Sequence, residues 1–392
     1  MKLDQHSGCG TVGHMSSDRF AGLDGLRGIA ALAVVFFHGS LTFDVGYVPP
    51  AACLAVDFFF LLSGYVVAHA YDERLRHGLT WRRFMLLRTI RLYPMLWLST
   101  CASAVPFLIA QSQKHGHGLA QLIGIVGGSF LLLPLGFTMG AIAYPVNLVA
   151  WSLFFEFFIN GCYASKLGTL RARSLAAFVL ALAIASVAMT LWSRPYFQIG
   201  FGTPGLFLLG FVRVAFPFWA GVLLHRCAVP RLVPGLPIGV TGAALAILLV
   251  APISQQAYFL ALTLGAFPVL TACAARARMG ALSRRACEVL GRLSYPLYLV
   301  HWPVHRLLYG ASHALRLGVR PWLLILIGAS ASIAAAQTAL IAYDEPVRRW
   351  LGRHLRVATA SNLRPESRPA DFDAGTARAG PAAAPSRPPA AG

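Results

Sequence analysis

Residues 24–43 read DGLRGIAALAVVFFHGSLTF. From Ile29 to Phe37 every side chain is apolar, with no polar face. A helix that is apolar all round is buried in a large core or crosses a bilayer. Similar runs recur along the chain at 51–71, 89–110, 119–139, 147–164, 174–192, 206–225, 236–252, 256–274, 291–309 and 321–343. About 20 apolar residues span the hydrocarbon core of a membrane. The 392 residues are 57% hydrophobic and 12% charged, with a mean hydropathy of +0.63. A soluble domain carries about 25% charged residues. The expected fold class is therefore all-α, a polytopic transmembrane helical bundle of about ten spans plus one broken or re-entrant segment.

The 33 basic residues against 14 acidic ones give a net charge of +19. On a soluble domain that excess would suggest nucleic acid. Here the basic residues sit in short connections between apolar runs, where the positive-inside rule explains them and no nucleic-acid partner is needed. The connection 74–91 holds Arg74, Arg76, Arg82, Arg83, Arg88 and Arg91, and 166–173 holds Lys166, Arg171 and Arg173. Arg226 with Arg231, the group from Arg276 to Arg292, and Arg348 to Arg356 continue the pattern. All these loops are expected in the cytoplasm, with both termini. Two cytoplasmic loops need an even number of crossings between them, yet three apolar segments separate 91 from 166. The stretch 134–147 is broken by Pro134, Gly136, Gly140 and Pro145, so one segment there re-enters or stays short. Irregular backbone at that depth must be buried in protein or line a cavity.

The organisation expected is a cytoplasmic segment over 1–20, a transmembrane domain over 21–350, and a disordered cytoplasmic tail over 351–392, rich in Ala, Pro, Arg and Ser. The polar start, Met1 to Arg19, does not read as a signal peptide, so the first span is expected to be an uncleaved anchor. The seven cysteines form no C-x-x-C pair, and neither a disulfide framework nor a zinc site is suggested.

Ionisable groups inside spans are costly and mark functional sites by default. Arg27 and His38 are eleven residues apart. On a helix they share a face within about 20°, with His38 about 16 Å deeper. The plain alternative is a snorkelling Arg and a His bonded to a neighbouring helix. Asp24 stands one turn before Arg27. Asp57, in the run 56–65 (VDFFFLLSGY), must pair with a cation of another helix. Ser63 and Gly64 beside it also suit close helix packing. Arg88 and Arg91, at i and i+3, present guanidinium forks suited to phosphate at the edge of the third span. Trp151 alone would be an interfacial anchor. Glu156, one to two turns further on, needs a partner, and Arg213 is a candidate. Ser294, Tyr298 and His301 share one helical face, and Tyr295 reads as a belt aromatic. His69, His225 and His305 lie near span ends and read as ordinary bonded histidines. No H-E-x-x-H, Walker loop, nucleophile elbow or Cys/His ligand set appears.

Taken in order, these stretches resemble the acyltransferase family 3 of bacterial integral-membrane acyltransferases, over roughly residues 20–350. The resemblance rests on Leu-Asp-Gly-Leu-Arg with Arg27-x10-His38, the Asp57 run to Gly64, and Arg88-x-x-Arg91-x-x-Pro94. It continues through Trp151-Ser152-Leu153 with Glu156, Ser294-Tyr295-x-x-Tyr298-Leu299-x-His301, and Glu345-Pro346 before Arg348 and Arg349. It implies a ten-helix domain of the bacterial inner membrane. Such a domain takes an acyl group, expected to be acetyl, from cytoplasmic acyl-coenzyme A to a hydroxyl of a carbohydrate or small-molecule acceptor. Phe154-Phe155 stands before Glu156 where the family commonly has small residues, and the stretch 357–392 is expected to be too short for an appended hydrolase-like domain.

Acyl transfer to a hydroxyl needs a base and stabilisation of the developing oxyanion. His38 is the expected base, since imidazole is best matched to neutral pH, with Asp57 or Glu156 orienting it and His301 in the catalytic set. Arg27, Arg88 and Arg91 would hold the coenzyme's phosphates. The thioester is already activated, so neither a metal nor a permanently bound cofactor is expected; acyl-coenzyme A is a co-substrate. The rival class is a transporter or flippase for a glycan-linked substrate, whose mark would be paired broken helices in two halves.

Overall fold

The computed structural model describes residues 10–112, 118–140, 142–193, 196–316 and 318–355, with side chains from residue 21 onward except at 166. The tail expected over 351–392 therefore lies, beyond residue 355, outside the described residues. Within them all regular structure is helical: α1 (Gly10–Phe43), α2 (Ala55–Arg76), α3 (Trp81–Ser112), α4 (Leu119–Ser129), α5 (Ala150–Tyr163), α6 (Ala172–Trp192), α7 (Pro204–Arg226), α8 (Ile238–Val250), α9 (Gln256–Leu260), α10 (Phe267–Ala274), α11 (Ala281–Ala314), α12 (Pro321–Ala339) and α13 (Glu345–His354). Seven helical segments among the described residues are long and apolar enough to cross a membrane. Large apolar side chains such as Leu180, Ile184, Leu208 and Ile247 face outward, as lipid contact requires. The protein is an all-α, multi-pass membrane protein.

Two helix pairs organise the bundle. On α1, a Cβ placed at Gly25 or Gly28 would collide with Cys287 or Leu290 of α11, and one at Gly291 would collide with Asp24. Small residues let membrane helices approach this closely. Further along, His38 meets His301 and Gly39 meets His305. The numbers rise together, so α1 and α11 are parallel. The second pair follows the same pattern: Asp57 meets Arg213, Gly64 lies against Phe218, and Asp72 meets Arg226. Hence α2 and α7 are parallel as well.

Parallel neighbours require an odd number of crossings between them. Between α2 and α7 lie α3, α4, α5 and α6, so α4 and α5 cannot each cross. They share one crossing on either side of the irregular stretch 130–149. The irregular backbone is satisfied within the protein. Gly136 N–H donates to the Ala143 carbonyl at 3.1 Å, Ala143 N–H to Phe201 at 2.8 Å, and Tyr144 O–H to Leu132 at 2.8 Å.

Proline explains two further irregularities. Helices α9 and α10 are joined by a π-helical turn, Ala261–Ala266, and α12 continues into α13 through another, Leu340–Asp344. Each lies just before a proline near the start of the next helix, Pro268 and Pro346. A proline ring clashes with the carbonyl four residues back and lacks the N–H for it. Widening the turn relieves both, and it aims Asp344 into the bundle.

Candidate active site

Helices α1, α2, α3, α5 and α11, with the α12–α13 junction, enclose a cavity of about 530 Å³. Ligand pockets commonly span ~300–1,000 Å³. One end is cationic: Arg27, Arg88, Arg91, Arg292 and Arg348 all line it. Four of these are held by carboxylates. Arg27 bonds Asp24 at 2.7 Å, Arg88 bonds Glu156 at 2.5 Å, Arg292 bonds Glu345 at 2.6 Å, and Arg348 lies 2.6 Å from Asp344. Arg91 is exposed and, among the described residues, has neither an ion pair nor a hydrogen bond. The two arginines expected to act alike thus differ: Arg88 is buried and bonded, Arg91 is free.

Glu156 is the polar centre of the cavity wall. Its Oε1 accepts from Arg88, from Ser63 Oγ at 2.8 Å and from Asn160 Nδ2 at 3.1 Å. The partner suggested by sequence, Arg213, is elsewhere. Its guanidinium, 2% exposed, donates to Asp57 (Nη2 to Oδ2, 2.7 Å) and to the carbonyls of Cys53 at 3.1 Å and Ile199 at 2.9 Å. Tyr196 O–H also donates to Asp57 at 3.0 Å. Trp151 and Tyr196 cover the guanidinium at 5.2 and 4.6 Å, so Trp151 is a buried cation–π partner rather than an interfacial anchor. The reason for the swap is register: α2 and α7 are in direct contact and bring Asp57 beside Arg213, whereas Glu156 on α5 faces α3.

The other end of the cavity is closed by Ser152 and Tyr298, whose hydroxyls are 2.7 Å apart. One turn beyond Tyr298, fully buried His301 meets His38, with Nε2 and Nδ1 3.0 Å apart. The Leu297 carbonyl lies 3.1 Å from His301 Nδ1 and accepts its proton. His301 Nε2 then carries a lone pair, His38 Nδ1–H donates to it, and His38 Nε2 is left as an acceptor. Neither carboxylate expected to orient His38 does so. Asp57 bonds Arg213 and Glu156 bonds Arg88; the group that bonds His38 is His301, because parallel packing sets α11 along α1. His38 itself does not line the cavity.

The remaining sequence candidates are accounted for. Ser294 lines the cavity but donates to the Gly291 carbonyl at 2.7 Å, and Tyr295 donates to the Leu92 carbonyl at 2.5 Å. His69 and His225 pack ring to ring, 5.2 Å apart, near the Asp72–Arg226 pair and away from the cavity. Sequence reasoning passed over Asn160, Arg292, Asp344 and Arg348 as site residues. Arg348 had appeared only within the Glu345-Pro346 stretch of the resemblance and Arg292 only as a loop charge, while Asn160 and Asp344 carried no separate signal.

A family model described as an acyltransferase domain matches residues 20–341. The chain belongs to this acyltransferase family. It is a membrane acyltransferase of class EC 2.3.1.-, which decides against a transporter. It is 37% identical over 159 residues to "Protein 2 in picA locus" of Rhizobium radiobacter, covering 38% of this chain and 82% of that one. It is 26% identical over 298 residues to a putative membrane-bound transacylase, BcsY, of Komagataeibacter xylinus, covering 72% of each. It is also 28% identical over 193 residues to a putative peptidoglycan O-acetyltransferase, YrhL, of Bacillus subtilis (strain 168), covering 44% of this chain and 28% of that one. No solved structure matches the chain.

Proposed function

We propose that this acyltransferase moves an acyl group, acetyl in the first place, from acyl-coenzyme A to a hydroxyl of a carbohydrate or related small acceptor, with His38 as general base. The observation that carries the reading is the cavity itself: arginines at one end, and at the other a hydroxyl pair backed by the His301–His38 pair. A name such as peptidoglycan O-acetyltransferase on a relative supports a glycan hydroxyl as acceptor.

Arg88 and Arg91 lie two to three turns into α3, Arg292 about three turns into α11, Arg27 on α1 and Arg348 in the first turn of α13, on the side of the basic loops 74–83 and 276–285. Positive loops are retained in the cytoplasm, so this end opens to cytoplasmic acyl-coenzyme A, with both termini on that side of the bacterial inner membrane. Unpaired Arg91 takes the coenzyme's phosphates, with Arg27, Arg88, Arg292 and Arg348 adding positive field as their carboxylates allow. The pantetheine arm runs along the cavity toward Ser152 and Tyr298. Because these two separate the cavity from His38, bound donor must displace the Tyr298 ring to bring the thioester to the imidazole. His38 Nε2 takes the acceptor's proton as the oxygen attacks the carbonyl carbon. The carbon–sulfur bond breaks, and the proton passes to the thiolate. His301 holds the tautomer that makes this nitrogen basic.

Membranes carrying the protein should transfer label from acetyl-coenzyme A to a glycan fraction. His38→Ala should lose about 10²–10⁴-fold in rate while binding donor normally. His38→Gln, which hydrogen-bonds but does not take up a proton, should be nearly as inactive. Near-normal transfer by His38→Gln would remove the base assignment.

A further inference from the structure

Of the three histidines that meet between α1 and α11, His301 and His305 are fully buried and only His38 is partly exposed. Its accessible surface does not belong to the cavity, which ends at Ser152 and Tyr298. Beyond that plug the face of α11 that carries Tyr295 and Tyr298 continues through Trp302 and Arg306, at steps of three or four residues. Trp302 is partly exposed, its ring nearly perpendicular to His38 with centroids 5.7 Å apart. Its indole N–H has no hydrogen-bond partner among the described residues. Arg306, also partly exposed, has neither an ion pair nor a hydrogen bond among them; its guanidinium rests over the Tyr309 ring at 5.5 Å. It lies about 21 Å beyond Arg292 along α11, at the end away from the basic loop 276–285. The retention of positive loops in the cytoplasm therefore does not account for it. Helix α3 supplies the facing wall. Consecutive spans alternate in direction, so α3 runs with α1 and hence with α11. Tyr295 bonds the Leu92 carbonyl, and equal rise sets Ser99 level with Trp302 and Ser103 level with Arg306. Both serines lie within about 20° of Leu92 around α3, on the side that lines the cavity. Asn147, from the irregular stretch, donates to Ser99 at 3.3 Å. Asn147 Oδ1 and Ser103 Oγ are buried yet unpartnered among the described residues, and such groups in a native fold call for a partner.

We propose that Trp302 and Arg306, with Ser103 and Asn147 on the facing wall, form the acceptor subsite, and that its ligand is a sugar bearing a negative charge. The inference rests on His38 acting as base. The chemistry of each group fits that ligand. The indole offers a large apolar face to the C–H side of a pyranose and keeps its N–H for a hydroxyl. The Ser103 hydroxyl and the Asn147 amide oxygen suit further ring hydroxyls. The Arg306 guanidinium takes a phosphate or carboxylate through paired N–H donors. The hydroxyl to be acylated is then presented to His38 from the end opposite the cationic mouth, so donor and acceptor do not compete for one entrance. Binding changes no bond in the sugar; the transfer is the one already described.

The test uses detergent-solubilised protein with acetyl-coenzyme A and three probe acceptors: methyl β-glucoside, methyl β-glucuronide and glucose 1-phosphate. Wild type should show a lower KM for one or both charged sugars than for the neutral one, and which of them it is tells carboxylate from phosphate. Arg306→Gln should raise that KM about ten- to hundredfold, the range for a hydrogen bond to a charged group, and leave the glucoside within several-fold. Trp302→Ala should raise the KM of all three sugars, and Trp302→Phe, which keeps a ring, should restore much of the loss. The donor KM should be unchanged in every variant, a split that a merely structural role would not produce. Absence of transfer to both charged sugars by wild type, or no preference for either over the glucoside, overturns the proposal. An unaltered charged-sugar KM in Arg306→Gln, with His38→Ala inactive, overturns it and leaves the base reading standing. An active His38→Ala overturns both. If Trp302→Ala does not fold, Arg306→Gln decides by itself, since Arg306 has no ion-pair partner to strand.

Discussion

Replacing Asp57 by Asn keeps the shape of the side chain and removes its charge, which isolates the ion pair with Arg213. The two side chains are 1% and 2% exposed, so Arg213 would remain buried without its counter-ion. Three of its hydrogen-bonding contacts, to the carbonyls of Cys53, Ile199 and Tyr196, would survive. Carbonyl dipoles do not neutralise a charge. Removing one partner of a buried pair costs about 3–5 kcal/mol, a large part of the ~5–15 kcal/mol that holds a typical domain folded. Replacing both partners by apolar residues, as in Asp57→Leu with Arg213→Met, should recover most of that loss. Unfolding in mixed micelles with rising dodecyl sulfate provides the assay, followed by tryptophan emission, since Trp151 stacks on the guanidinium. Transfer activity is then expressed per folded molecule. Asp57→Asn should unfold much earlier, while the molecules that remain folded keep most of their activity. Normal stability with abolished transfer would refute the reasoning and return Asp57 to the chemistry.

Arg91→Ala should raise the donor KM roughly ten- to hundredfold, the range for a charge-assisted contact, without changing stability, because Arg91 has no partner to leave unpaired. Arg88→Ala should differ by destabilising the protein as well, since it strips Glu156 of its buried cation; equal behaviour of the two variants in both assays would contradict this division. Reporter fusions after residues 168, 230 and 283 should read cytoplasmic and one after residue 48 periplasmic. An outside signal at 168 would mean that α4 and α5 each cross.

Much of the architecture was legible in the sequence because the bilayer is a simple solvent. Apolar runs of span length and arginines in the connections are direct responses to it, so the all-α multi-pass bundle and even the broken stretch near Pro134 to Pro145 followed from composition and parity. The same physics marked Arg27, His38, Asp57, Glu156 and Arg213 as residues that must have partners, since none can lie unpaired in hydrocarbon. Which partner each takes was not legible. It depends on the facing of helices far apart in the chain: α1 with α11, joined by close contact at Gly28 and Gly291, and α2 with α7, joined at Gly64 and Gly221. Those packings assign Asp57 to Arg213 and leave Glu156 to Arg88. They also set His301 rather than a carboxylate against His38, and take His305 from a span end into the interior. One-dimensional pattern reports what a side chain requires of its surroundings; only the three-dimensional register of distant helices decides which group meets that requirement.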